Sequence, residues 1–240
     1  MPLRPEFLSL QDALLSAERQ EKGVVDVNTL PGILANSRLI LWQGDITRLR
    51  VDAVMDADSS GLLGCLLPCH GCVDNAIHSA AGLRLRDACS RMMEAQGYPE
   101  PVGRAKLTPG YQLPAQYVLH TVGPVVHGDV TARNRKDLAD CYRSCLALVA
   151  DHQLRSIAFC CISTGEFHFP KQEAAEIALH MVSNFLRASS SLQKVVFNVF
   201  KKRAFQKAAC FIRRVTTACG NALSPVMTAR MTMRNLSAAW

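Results

Sequence analysis

Between Leu39 and Phe200 the sequence alternates short apolar runs with longer stretches of helical period, and this alternation restricts the fold more than any other feature. Leu39-Ile40-Leu41-Trp42, Ala53-Val54-Met55, Tyr117 to Val122, Ile157 to Ile162 and Lys194 to Phe200 read as strands. Residues 74–93 place Ile77, Ala81, Leu85, Ala88, Cys89 and Met92 at helical spacing, and residues 136–150 do the same with Leu138, Cys141, Tyr142, Cys145, Leu146 and Val149. A further helix follows Pro170, a residue suited to a first helical position. Strands that take turns with helices imply an α/β sandwich with a largely parallel sheet.

The flanks read differently. Residues 6–20 carry Phe7, Leu8, Leu10, Leu14 and Leu15 on one helical face, and Pro31-Gly32 then breaks the chain. Residues 203–215 suit one more helix, with Phe205, Ala208, Ala209, Ile212 and Val215 inward; beyond Gly220 the pattern fades into a mobile tail. The expected organisation is a helical extension over 1–36, a main domain over 37–219 and a basic tail over 220–240. The net charge of +7 is concentrated: residues 201–240 hold eight Lys or Arg and no acidic residue, leaving 19 basic against 20 acidic residues before them. Specific nucleic-acid binding would rest on that segment alone and is not expected. No run of 18 apolar residues is present, and Glu6, Asp12, Glu18 and Glu21 do not resemble a leader, so neither a membrane span nor a secreted precursor is expected. Ten cysteines, several inside apolar elements, fit a reduced, cytoplasmic chain better than a disulfide scaffold.

Three stretches fall where an open α/β sheet places ligands, after strand ends. The first is Gly44-Asp45-Ile46-Thr47, which as residues also suits a plain turn. The second, Gly61 to Ile77, holds Cys65, Cys69, His70 and Cys72 and leads into a helix near Asp74. Two thiolates and an imidazole within eight residues suit zinc; three protein ligands would leave an open position, and Cys69 as a fourth would close it. Asp74 in a first helical turn serves either as a dipole-stabilised cap or as a chemical group. The third is Ser163-Thr164-Gly165-Glu166-Phe167-His168-Phe169-Pro170, a small-residue loop before a helix. Two such junctions offer backbone N–H groups to a diphosphate.

Taken in order, Gly44-Asp45-Ile46-Thr47, Val51-Asp52-Ala53-Val54, Leu62-Leu63-Gly64-Cys65, Pro68 to His78 and Ser163 to Pro170 resemble the zinc-dependent macrodomains, which are protein ADP-ribosyl hydrolases. The likeness spans Leu39 to Phe200. It implies a three-layer α/β/α sandwich with a mixed, largely parallel sheet, and a glycosidase-type enzyme that removes mono-ADP-ribose from protein acceptors through Asp or Glu ester links. It implies zinc on Cys65, His70 and Cys72, and Asp74 orienting or activating water at the distal ribose. The same resemblance gives Asp45 and the Ile46 backbone to the adenine, and Ser163, Thr164, Gly165, Glu166 and Phe167 to the diphosphate, with Phe167 over a ribose. Cys72 and Val73 line the ligand beside Asp74. His168, His78, His120, Cys160 and Cys161 are expected to be packing residues.

Two departures stand out. Where the family runs Asn-Ala-Ala-Asn-Ser, this chain has Asp56-Ala57-Asp58-Ser59-Ser60. Ser59 replaces the asparagine that contacts the distal ribose, and a carboxylate at 56 or 58 near a diphosphate would repel it by about 1 kcal/mol when solvated at ~4 Å. Lys201-Lys202-Arg203 stands where acidic residues are common. These leave two other readings open: an ADP-ribose reader without turnover, and a structural zinc protein whose basic segment docks on nucleic acid or an acidic membrane. Oligomeric state is left open.

Overall fold

The computed structural model describes residues 4–33, 37–67, 70–188 and 191–200. Helix α1 (Pro5–Lys22) leads through a short strand β1 (Val25–Asp26) to the main sheet strands β2 (Leu39–Gln43) and, after β3 (Leu49–Arg50), β4 (Ala53–Asp58). Helices α2 (Val73–Ala81) and α3 (Leu83–Gln96) follow, then β5 (Ala105–Pro109), β6 (Tyr117–Val122), α4 (Ala132–Asp151), β7 (Ser156–Phe159), α5 (Lys171–Ala188) and β8 (Lys194–Val199). The six-stranded sheet runs β2-β8-β7-β4-β6-β5, parallel except for β5, which lies antiparallel on β6. Helices α4 and α5 pack on one another, while α2 packs with α1, α3 and β4. This is the α/β sandwich with a largely parallel sheet that the alternation implied, in the three-layer α/β/α form that the resemblance implied.

Local chemistry explains the boundaries. Helix α4 begins at Ala132, six residues before its apolar stripe, because Thr131 and Asn134 form a reciprocal capping box. Its stripe, Leu138, Cys141, Tyr142, Cys145, Leu146 and Val149, is buried as its spacing requires. Tyr142 meets Phe159 of β7 at 5.1 Å between ring centres. The stretch expected as one helix over 74–93 is two, split at Gly82 with φ +87°; a Cβ there would stand 2.9 Å from the Leu15 side chain. Strand β7 stops at Phe159 rather than Ile162, where Thr164 turns back to bond the Cys161 carbonyl. Pro170 precedes the first residue of α5 and accepts its first backbone bond from Ala174. Strand β5 was not apparent from the sequence.

Helix α1 lies on the body through a mostly polar seam. Gln11 accepts from the Leu83 N–H, Asp12 pairs with Arg84 at 2.8 Å, and Arg19 donates to the Gln112 carbonyl. The apolar residues expected on one face are divided: Leu8 and Leu15 are half-buried, whereas Phe7, Leu10 and Leu14 are exposed. At the amino ends of the strands, Asp52 accepts the Arg155 and Ser156 N–H groups, fastening β4 to β7 away from the site. The helix expected over 203–215, the 220–240 tail, Lys201-Lys202-Arg203 and Cys69 lie outside the described residues.

Candidate functional site

Strands β2, β4, β6, β7 and β8 run parallel, so their carboxyl ends open onto one side, and the three motif loops emerge there. Strands β4 and β7 are direct neighbours, which sets the loop after β4 beside the loop after β7. The loop after β4 is shaped by Leu62, buried at φ +53°, and by Gly64 at φ +76°. A Cβ on Gly64 would approach the His78 ring to 2.8 Å, so only glycine fits.

From this loop Cys65, His70 and Cys72 converge: their ligating atoms lie within 4.8 Å of one another, and Cys65 Sγ is 3.3 Å from His70 Nδ1. All three side chains are half-buried. Asn75 fixes two of them, its side-chain amide donating to the His70 carbonyl at 2.9 Å and its backbone N–H pointing at Cys72 Sγ at 3.4 Å. Cys72 is thereby the N-cap of α2. Burial pushes its thiol up to about 11, with the neighbouring Cys65 adding to the effect and the Asn75 N–H opposing it. Across the gap between loops, Glu166 places a carboxylate oxygen 3.7 Å from His70 Nε2. At that separation Glu166 is a charged neighbour of the imidazole on the side away from the thiols, not its hydrogen-bond partner.

Asp74 is buried in the first turn of α2. Burial, then the charge and hydrogen bonding of Asp58, push its carboxyl up to about 8, while Arg86 and the Cys65 backbone N–H pull the other way. In the third loop Ser163 is buried at φ +59° with its hydroxyl unpaired, and its carbonyl accepts from Phe169. Thr164 and Phe167 are half-exposed, and Gly165 and Glu166 are exposed. The Phe167 carbonyl accepts from Val126, tying this loop to the one after β6. Two packing expectations are corrected. His168 is exposed, because φ +56° turns it outward between half-exposed Phe167 and buried Phe169; Cys161 is exposed, while Cys160 is buried. Asp45 uses one carboxylate oxygen to cap the turn over 46–48, accepting from the Thr47 N–H at 3.0 Å and its hydroxyl at 2.7 Å. That turn, with Ile46 buried, packs against α2. Ser59 is exposed, and its N–H donates to Asp58 at 2.7 Å.

Beneath the thiol-bearing loop lies a cluster the sequence reading missed. Asp56 and Asp58 of β4, His78 of α2 and His120 of β6 are all buried and face one another. The signal was present in two pieces: Asp56 and Asp58 alternate onto one face of a strand, and Asp74 and His78 are spaced i,i+4 on a helix. The fold joins them: the parallel register sets His120 beside Asp56, and α2 packing on β4 brings in His78.

The Macro domain family pattern matches residues 57–178. Over 82% of its length the chain is 47% identical to the protein-ADP-ribose hydrolase of Treponema medium, covering 77% of that protein. It is 46% identical over 86% of its length to the protein-ADP-ribose hydrolase of Staphylococcus aureus strain MSSA476, again covering 77%. Among solved structures, the Oceanobacillus iheyensis macrodomain with MES bound superposes with TM-score 0.70 at 35% identity, over 78% of this chain and 96% of that one. The Trypanosoma brucei macrodomain in complex with ADP-ribose gives 0.70 at 32% identity, over 88% and 92%. The chain belongs to the Macro domain family.

Proposed function

We propose that this chain removes ADP-ribose from protein acceptors, as a zinc-dependent mono-ADP-ribosyl hydrolase acting on Asp or Glu esters in the cytoplasm. The observation that carries the reading is the convergence of Cys65, His70 and Cys72 within 4.8 Å, in the turn that also holds Asp74. Its relatives named protein-ADP-ribose hydrolase support the reaction class.

The donor set fits zinc: two sulfurs and one nitrogen, at ligand-to-ligand spacing, with Glu166 behind the imidazole. Bound there, zinc would supply Lewis acidity beside the ribose of the substrate. The chain's own residues do the rest. Backbone amides over Ser163 to Phe167 receive the diphosphate, and the loop after β2 with Asp45 and Ile46 receives the adenine. Val73 and Cys72 line the ribose end, where an Asp74 carboxylate oxygen orients the attacking water and accepts its proton; as the water oxygen bonds to the ribose carbon, the bond from that carbon to the acceptor oxygen breaks and the acceptor leaves as a carboxylate. The test is release of ADP-ribose from a glutamate-linked, mono-ADP-ribosylated protein by zinc-loaded enzyme; release no faster than by Cys65→Ala rejects the proposal.

One observation favours a second reading, a reader that binds ADP-ribose without turnover. Ser59 offers no side-chain amide, and its backbone N–H is already engaged by Asp58. Calorimetric binding of ADP-ribose without hydrolysis, with activity appearing in Asp56→Asn/Ser59→Asn, would establish it.

A further inference from the structure

The cluster under the thiol loop has a geometry that hydrogen bonding does not explain. Asp56 and Asp58 are 0% and 1% exposed, and His120 is 0% exposed. His78 Nε2 stands 3.8 Å from Asp56 Oδ2 and 3.7 Å from Asp58 Oδ2, and His120 Nδ1 stands 3.5 Å from the same Asp58 oxygen. N–H···O bonds close at about 2.7–3.2 Å, so these contacts are too long. Accordingly, both oxygens of Asp56, Oδ2 of Asp58, both ring nitrogens of His78 and Nδ1 of His120 have no hydrogen-bond partner. Each such buried group costs about 1–3 kcal/mol, and more when charged.

We infer that Asp56, Asp58, His78 and His120 form a second, buried site for a divalent transition-metal ion of the zinc type. Three features select a cation over a bridging water. First, the N···O spacings of 3.8, 3.7 and 3.5 Å are close to the roughly 3.3–3.6 Å between atoms around a tetrahedral ion with bonds of about 2.0–2.2 Å, and short of the roughly 4.6 Å between partners of a tetrahedral water bonded at about 2.8 Å. Second, the two carboxylates are buried and, among the described residues, their ion-pair partners are the two histidines and no lysine or arginine, so a dication neutralises the pair and a water does not. Third, His120 is prepared to ligate: its Nε2 lies 2.9 Å from the Thr108 hydroxyl, and donation there leaves the Nδ1 lone pair facing Asp58. Four protein ligands close the coordination, which makes this a structural centre fastening β4, α2 and β6 together. Because the site is closed to solvent, the ion enters as the chain folds.

The site shares no ligand with the proposed thiolate centre, so the two are separable. The full-length chain is refolded in excess Zn2+, desalted and analysed for metal, then the experiment is repeated with Co2+. Two equivalents are expected for the wild type and one each for Cys65→Ser/Cys72→Ser and Asp56→Asn/Asp58→Asn. In the cysteine variant the remaining Co2+ should show d–d bands without thiolate charge transfer; in the aspartate variant the charge-transfer band should persist. The cysteine variant decides the matter even where the aspartate variant does not fold. Metal-free cysteine variant protein, or retained Co2+ with a thiolate band, overturns the second site. A wild type with one aspartate-dependent equivalent and no thiolate band would instead uphold it and reject the zinc of the proposed hydrolase.

Discussion

Cys65, His70 and Cys72 are half-buried and soft, and side-chain and backbone bonds from Asn75 hold two of them in place. Asp56, Asp58, His78 and His120, one layer deeper, bring carboxylates in place of thiols and are buried, with their facing atoms unbonded. Asp74 stands between the two groups, in the turn that begins at Cys72 and with Oδ1 3.6 Å from His78 Nε2. The rim can lose or exchange a ligand at little cost to the fold, because water reaches what is uncovered. The floor cannot, because a charge uncovered there has nowhere to be solvated. On the proposed function, chemistry belongs to the rim and stability to the floor.

That division can be broken in four ways. The largest effect is expected from His120→Ala, which strands buried carboxylate charge and should cost about 3–5 kcal/mol in urea-unfolding stability. Cys65→Ser should slow ADP-ribose release about 100-fold, the loss of about 2.7 kcal/mol of Lewis-acid stabilisation, with an unchanged melting temperature. Thr108→Val removes the partner of His120 Nε2 and should cost about 1–2 kcal/mol by the same urea measurement. Glu166→Gln, behind His70, should weaken zinc affinity about 10-fold in a chelator competition and leave stability alone. A rim substitution that unfolds the protein, or a floor substitution that only slows turnover, would contradict the division.

The rim was legible in the sequence because Cys65, His70 and Cys72 sit within eight residues, where one loop must bring them together. The helices were legible through their apolar stripes, as in α4, although the Thr131 cap set its start and Gly82 divided what read as one helix. The floor was not legible, because its members come from β4, α2 and β6, and only the parallel register of Asp56 with His120 and the packing of α2 on β4 unite them. Strand β5 was missed for a related reason: Ala105 to Pro109 has no buried apolar alternation, and its edge position against β6 defines it. The split faces of α1 were hidden because its seam is made by Gln11, Asp12 and Arg19 rather than by leucines.

Gly64 gives the two layers a mechanical connection. With a would-be Cβ only 2.8 Å from the His78 ring, the backbone preceding Cys65 rests directly on that imidazole. A side chain at residue 64 would have to displace either that ring or the loop carrying Cys65, so one added methyl group would disturb both layers together.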